Sequence, residues 1–349
     1  MPKSINEITI QDVANEAGVS RSTVSRALNN RPDVSDATRQ RVMEVIETLG
    51  FHPHAQAQRL ATGRSYTIAM LHPLDYEDGF PVDQFMDFIV MGFVLGVAKA
   101  GEERNYFFNI LTSTLTPEDL LALYQSAQVD GVIPMQIDLQ DWRVGLLCEH
   151  NLPFVMIGRR ADNSGLSFVD VEFEAGVLSA FDHLISLGHE NIGFLTLSNM
   201  SRKVGYGPAI HIWQGYQRAL EKYGLREYSR ESDMNPDAVF EATVSLWQEH
   251  PHLTSLVTFN TGAVDITLKA LNHLGYRIPE DVSVVGFCLD KMSELINPRL
   301  TALSFPSYEM GYQAAKMLIQ KLKGEQLIND QILILPELIV RDSTAPPPM

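Results

Sequence analysis

The 349 residues carry 27 Lys and Arg against 43 Asp and Glu, a net charge of −16, with 45% hydrophobic residues and only two cysteines. This length exceeds what one core organises, so two or three domains are expected; no apolar run approaches the roughly 20 residues that span a bilayer, and no export signal is read, so a cytoplasmic chain is expected. Cys148 and Cys288 lack the spacing of a zinc site or a disulfide framework, and residues 1–64 hold 8 basic and 7 acidic side chains against 19 and 36 in the remainder, so an acidic body repels DNA and any nucleic-acid contact belongs to the N-terminal part.

The stretch ITIQDVANEAGVSRSTVSRALN, Ile8 to Asn29, reads as two short helices joined by a turn at Gly18. Thr9 is a candidate N-cap for a first helix whose Ile10, Val13, Ala14 and Ala17 share a face, and Ser20 for a second in which Val24, Ala27 and Leu28 face inward. The outer side of the second helix carries Arg21, Ser22, Ser25 and Arg26. Such an angled pair is a helix-turn-helix, whose second helix fits the major groove. Arg26 can bond guanine O6 and N7 together, with Arg21 and Ser22 where the helix first meets the bases. Ser20, Thr23 and Asn29 suit phosphates, which position without reading sequence.

Ser35 caps a predicted third helix with Val42, Val45, Ile46 and Leu49 on one side. A fourth segment, His54 to Ala61, is too short to persist alone as a helix and reads as a hinge that orders when two copies meet on DNA. The weak net charge of the N-terminal part also favours a dimer with specific contacts over strong sequence-independent binding by one copy.

TIQDVANEAGVSRSTVSRALN, VSDATRQRV and LGFHPHAQAQRLATGRS stand in the order and spacing of the lactose-repressor and galactose-repressor (LacI/GalR) family, and residues 8–65 resemble its DNA-binding headpiece and hinge. The resemblance implies base reading by Arg21, Ser22 and Arg26, and makes Leu60 a wedge that a dimer inserts into the minor groove, where such wedges kink DNA by unstacking a base step. The phosphate set is Thr9, Ser20, Thr23, Asn29, Ser35, Thr38, His54 and Gln58. Two hinge positions depart from the family: His54 stands where Asn is usual and Gln56 where a small apolar residue is common.

From Tyr66 onward short apolar strands alternate with helices, the mark of parallel sheets with crossover helices. The strands read as YTIAML from Tyr66, YFFNIL from Tyr106, GVIPM from Gly131, PFVMIG from Pro153, SFVDV from Ser167, NIGFLTL from Asn191, SLVTF from Ser255 and VSVVGF from Val282. Lobe boundaries are expected near Arg159–Ser164, after Phe287 and near Lys323–Gly324. The expected architecture is an all-α helix-turn-helix headpiece (1–52), a hinge helix (53–65), a two-lobed α/β domain of periplasmic-binding-protein type (66–341) and a disordered tail (342–349). The first lobe is assigned 66–160 and 290–322, the second 161–289 and 323–341, with ligand binding in the cleft at the strand ends.

FVDVEFEAG, HLISLGHENIGFL, GYQRAL, IPEDVSVVGF and NPRLTALSFPSYEMG are similar to the family's sensor domain, which implies a homodimer whose small effector shifts the lobes and alters operator affinity. The candidate effector residues are Asp75, Gln84, Phe85, Phe168, Asp170, Ile212, Asn260, Thr261 and Phe305. Ile212 stands where an Arg commonly holds the effector, Thr261 replaces the Asp of an Asn-Asp pair, and Cys288 and Leu289 replace an Asp pair. A sugar-like effector and a less hydroxylated molecule both fit this set. Phe168 and Phe305 read more readily as core than as ligand platforms, and Asp75, Asp170 and Asn260 read equally as caps. No cofactor or metal is expected: His183 and His189 flank a helix end, and His250 and His252 have no acidic or thiol partner at ligand spacing. An operator-binding, ligand-controlled regulator is favoured over a small-molecule-binding protein of periplasmic type without operator control. An enzyme ranks last, since no GxSxG, P-loop or HExxH occurs and GYGPAI from Gly205 lacks the third Gly of a phosphate loop.

Overall fold

The computed structural model describes residues 8–28, 31, 33–51, 64–72, 84–233, 235–259 and 264–348, with the backbone alone for 84–87. It divides into two compact units, 1–65 and 66–349.

The first unit contains α1 (Ile10–Ala17), α2 (Arg21–Leu28) and α3 (Asp36–Leu49), and every expected terminator is in place. Thr9 and Asp12 form a capping box, in which the Thr9 amide donates to Asp12 Oδ2 at 2.8 Å and the Asp12 amide to Thr9 Oγ1 at 3.4 Å. Gly18 and Gly50 end α1 and α3 with φ of 64° each, the left-handed turn that glycine adopts without strain. Val13, Ala14, Ala17, Val24, Ala27, Val34, Val42 and Phe51 close a small core among the three helices. The expected hinge helix lies outside the described residues.

The second unit holds three sheets, parallel except for one edge strand, with helices on their faces. Its elements run β1 (Thr67–Leu71), α4 (Gln84–Glu102), β2 (Phe107–Leu111), α5 (Pro117–Gln125), β3 (Gly131–Pro134), α6 (Trp142–Glu149), β4 (Met156–Ile157), β5 (Phe168–Val171), α7 (Phe173–Ser186), β6 (Ile192–Leu197), α8 (Asn199–Lys203) and α9 (Gly207–Tyr223). The chain continues through β7 (Ser229–Ser232), α10 (Pro236–Glu249), β8 (Ser255–Thr258), α11 (Val264–His273), β9 (Ser283–Cys288), α12 (Asp290–Leu295), β10 (Thr301–Ser304), α13 (Ser307–Lys323), β11 (Gln331–Ile334) and β12 (Leu338–Ile339). In the first lobe β2-β1-β3 and β4-β5-β11 pair in parallel, and a single bridge from Val132 to Phe154 joins the two sets. The second lobe is one sheet of order β12-β10-β9-β8-β6-β7, parallel except for β12.

All eight expected strands form, but the lobe boundaries move one strand later at each crossing. The charged loop at 159–164 does not change lobes. It is a turn tied by Arg160 N to Asn163 Oδ1 at 2.9 Å and Leu166 N to Asn163 O at 3.0 Å, and it returns the chain to β5, the neighbour of β4. The crossings fall after β5, after β10 and after β11. Four strands escaped the sequence reading, because SRES, TALS, QILI and LI are short and three of them, β7, β11 and β12, lie at a sheet edge.

The expected disorder of 342–349 is also corrected over its first residues. Val284 N donates to Ser343 O at 2.8 Å, Thr301 N to Ser343 Oγ at 2.8 Å and Ala345 N to Ser283 Oγ at 2.9 Å, so this stretch lies along β9 as part of the second lobe. His189 reaches the same stretch, with Nε2 2.9 Å from Ala345 O and Nδ1 2.9 Å from Thr254 Oγ1, a buried structural histidine. In the first lobe α4 and α13 pack at backbone distance through Gly92, Gly96 and Gly311; a Cβ on Gly311 would stand 2.3 Å from Phe93 O.

Candidate DNA-reading face and effector cleft

Burial sorts α2 as its sequence demands. Val24 and Ala27 are buried, while Arg21, Ser22 and Arg26 are exposed on one side. Ser20 Oγ accepts from Thr23 N at 3.1 Å and lies 2.7 Å from Ser22 Oγ and 2.8 Å from Thr23 Oγ1, so the hydroxyls at the start of this helix form one local network. The Arg26 side chain, 58% exposed, stands 3.4 Å from Asp33 Oδ2. An exposed pair of this kind contributes at most about 1 kcal/mol and can yield to a base edge.

Ser35 Oγ accepts from Thr38 N at 3.3 Å and lies 2.9 Å from Thr38 Oγ1. Thr9 Oγ1 donates to Asp12 Oδ2 at 2.7 Å. These candidate phosphate ligands therefore all sit at helix N-termini, whose unpaired amides and dipoles attract phosphate. One contributor was missed: the Arg39 guanidinium donates to Arg31 O at 2.8 Å and Val34 O at 3.4 Å, fixing the connection between α2 and α3. Asn29, His54, Gln58 and Leu60 lie outside the described residues.

In the second unit the strand ends of both lobes converge, and the candidate effector residues separate. Phe305, just after β10, is partly buried and stacks edge-on to Phe93 of α4 and Phe287 of β9, with ring centres at 5.9 and 5.2 Å. It is placed at the meeting of the lobes. Phe168 is not: it points into the outer core of the first lobe with Leu120, Val144 and Phe154. Ile212 is likewise buried core, packed in the cluster that holds Tyr216 and Phe181, and offers no ligand group. The side chains of Gln84 and Phe85, together with Asp75, Asn260 and Thr261, lie outside the described residues.

Asp170 sits at the end of β5, buried, with Oδ1 accepting from Val171 N at 2.8 Å and Oδ2 3.4 Å from Arg159 Nε. Burial pushes its carboxyl up to about 7, against the opposing pull of Arg159. Arg159, at the end of β4, also lies 3.5 Å from Glu172 Oε2 and donates from Nε to His211 Nε2 of α9 at 3.1 Å. His211 Nδ1 is 3.1 Å from Gln214 Oε1 and 3.6 Å from Glu174 Oε1, and Glu174 pairs with Arg218 at 2.6 Å. Beside this chain of charges the backbone joins the lobes directly. Leu139 N donates to Gly205 O at 2.8 Å, Gly207 N donates to Ile137 O at 3.3 Å, and Asp138 bridges Tyr206. The GYGPAI stretch that superficially resembled a phosphate loop is this junction.

Sequence reading missed Arg159, His211 and Glu174 as a group, since they lie far apart in the chain. It also missed His72, buried at the end of β1, whose Nδ1 has no partner among the described residues. Among those residues no cluster could hold a metal ion, and no helix is long and apolar enough to cross a membrane.

A helix-turn-helix reader followed in the same chain by a two-lobed α/β sensor defines an effector-controlled, DNA-binding transcriptional regulator. Residues 9–54 match the model of bacterial regulatory proteins of the lacI family, and residues 181–344 that of the periplasmic binding protein-like domain. The HTH-type transcriptional regulator CelR of Thermobifida fusca is 30% identical over 96% of this chain and 98% of its own. The chain belongs to the lacI family. A solved complex of CelR with cellobiose is similar at 28% identity, covering 97% of this chain and 100% of the other, with a TM-score of 0.69. The Lac repressor dimer bound to operator and the anti-inducer ONPF shares the fold, with a TM-score of 0.78 at 22% identity over 97% of this chain and 99% of the other.

Proposed function

We propose that two copies of this chain bind a palindromic operator as a repressor, with Arg21, Ser22 and Arg26 of each α2 reading bases and Leu60 wedging the minor groove at the centre. The observation that carries this reading is the exposure of Arg21, Ser22 and Arg26 on a helix whose opposite side is buried. The pairing is supported by an apolar face of the first lobe: Phe88, Met91 and Leu95, at successive turns of α4, and Tyr308 of the adjoining α13 are all exposed, as is Phe107 on the edge strand β2. An exposed apolar surface of this kind marks a protein contact, and a second copy supplies the same face to it.

The effector proposed is a small neutral molecule, with carbohydrates the first class to test. Arg159 is already paired with Asp170 and Glu172, which leaves little for an anionic ligand, while the Phe305 ring offers an apolar face. The relative CelR was solved with cellobiose. Selection of bound duplexes from random DNA by the full-length protein tests the reading. A palindrome with a central pyrimidine-purine step, bound by a dimer and released or tightened by a sugar in a screen, is the expected result. Equal affinity for all sequences would reject base reading, and a monomer at micromolar concentration would reject the shared wedge.

A further inference from the structure

We propose that the hydrogen bond from Arg159 to His211 is a proton-sensitive clasp between the two lobes, which opens when His211 is protonated. The donor and acceptor rules fix the direction. A guanidinium only donates, so the Nε2 atom 3.1 Å from Arg159 Nε must carry a lone pair, and the proton of the neutral ring sits on Nδ1. Both groups near Nδ1 are acceptors, Gln214 Oε1 at 3.1 Å and Glu174 Oε1 at 3.6 Å, which agrees with that tautomer. A proton added at Nε2 would set two N–H groups against each other and two cations in contact.

The two partners stand on different lobes. Arg159 leaves β4 of the first lobe beside Asp170 and Glu172; His211 rides on α9, which packs against α7 of the second. The charged groups around the imidazole are therefore Arg159, Asp170 and Glu172 from one side, and Glu174 of α7 and Arg218 of α9 from the other. Burial and then Arg159 hold the His211 pKa below its ordinary 6.5, only partly opposed by Gln214 and Glu174. The sign follows: with the lobes joined the ring prefers to be neutral, so the clasp is intact above the ordinary histidine range and weakens as pH falls below about 6.5. The interlobe amides of Leu139 and Gly207 lie beside it and report its state.

This inference rests on the reading of the lobes as the sensor, but its test needs neither operator nor effector. Hydrogen exchange of the full-length protein, corrected for intrinsic exchange at each pH, is measured over 136–141 and 204–208 between pH 7.5 and 5.5. Protection at both segments is expected to fall several-fold on acidification. In His211→Gln, whose side-chain oxygen accepts from Arg159 but does not titrate, it is expected to stay constant. Asp170 touches Arg159 and titrates nearby, so Asp170→Asn is measured in parallel and is expected to retain the fall. Constant protection in the unaltered protein, an equal fall in His211→Gln, or abolition of the fall by Asp170→Asn would each overturn the assignment to His211.

Discussion

The outer side of α2 and the junction of the two lobes both depend on placed polar groups, and they place them in opposite ways. On α2, Arg21, Ser22 and Arg26 stand in water on one turn and a half of helix, and among the described residues Arg26 meets Asp33 alone as an ion-pair partner. At the junction, Arg159, Asp170, Glu174 and His211 come from β4, β5, α7 and α9, are largely withdrawn from water, and each leans on the next. An exposed reader pays for its ligand contacts only when DNA arrives, and its groups act almost independently. A buried network must be satisfied before any ligand comes, so its members act as one and its loss of a member leaves a charge stranded.

The largest expected effect falls on the scaffold beneath the junction. Gly311→Val forces side-chain atoms into the Phe93 carbonyl, and α4 and α13 must separate. We expect the second unit to lose roughly 3 kcal/mol, seen as a lowered midpoint in urea unfolding, because overpacking at backbone contact cannot be relieved by a rotamer change. Unchanged unfolding would mean that the two helices are not locked and that the lobes are looser than the comparison assumes.

Ser343→Ala asks whether the end of the chain belongs to the second lobe. Its hydroxyl accepts from Thr301 N and donates to Val284 O at 2.6 Å, and Ser343 is fully buried. Removing the oxygen leaves two buried backbone groups unpaired, a loss of about 2 kcal/mol. A tail that is merely adjacent would give no change in the same unfolding measurement.

Ser343, in a stretch expected to be disordered, marks a place where the sequence was not legible. The three helices of the headpiece were readable, because caps, turns and the apolar stripe are local: Thr9, Gly18, Ser20 and Ser35 each act within four residues of themselves. The eight strongly apolar strands of the body were readable for the same reason, and the four short ones were not. The lobe assignments were not, since parallel pairing is decided by neighbours far away in the chain, and TALS or QILI carries no mark of which sheet it joins. Phe168 and Ile212 show the corresponding limit for the site: an apolar side chain at a family ligand position looks the same in the sequence whether it lines a cleft or fills a core. The Arg159–His211 contact spans 52 positions, and no spacing rule reaches it.

On the exposed side of the comparison, Arg26→Ala should lower affinity for the selected operator by about 1–3 kcal/mol and relax the preference at one base pair of each half-site. Affinity for random duplex should change much less. The stability of the headpiece should be untouched, since the Asp33 pair is solvent-exposed. Equal losses on both DNAs would reduce Arg26 to a phosphate contact.

The smallest effect separates two roles that coincide at Ser35. As the N-cap of α3 its hydroxyl holds Thr38 N, and as a proposed phosphate ligand it would meet the backbone of the operator. Ser35→Ala should cost about 1 kcal/mol of headpiece stability, the usual worth of a cap. Ser35→Asp distinguishes the roles, because a carboxylate caps as well as a hydroxyl and also favours the helix dipole, yet repels phosphate. If Ser35 only caps, the Asp variant keeps both stability and operator affinity. If it touches phosphate, stability is kept while affinity falls, and the fall shrinks as salt is added because the repulsion is screened. A loss of stability in the Asp variant would mean that the cap geometry itself is wrong, and with it the claim that this region is governed by contacts within four residues.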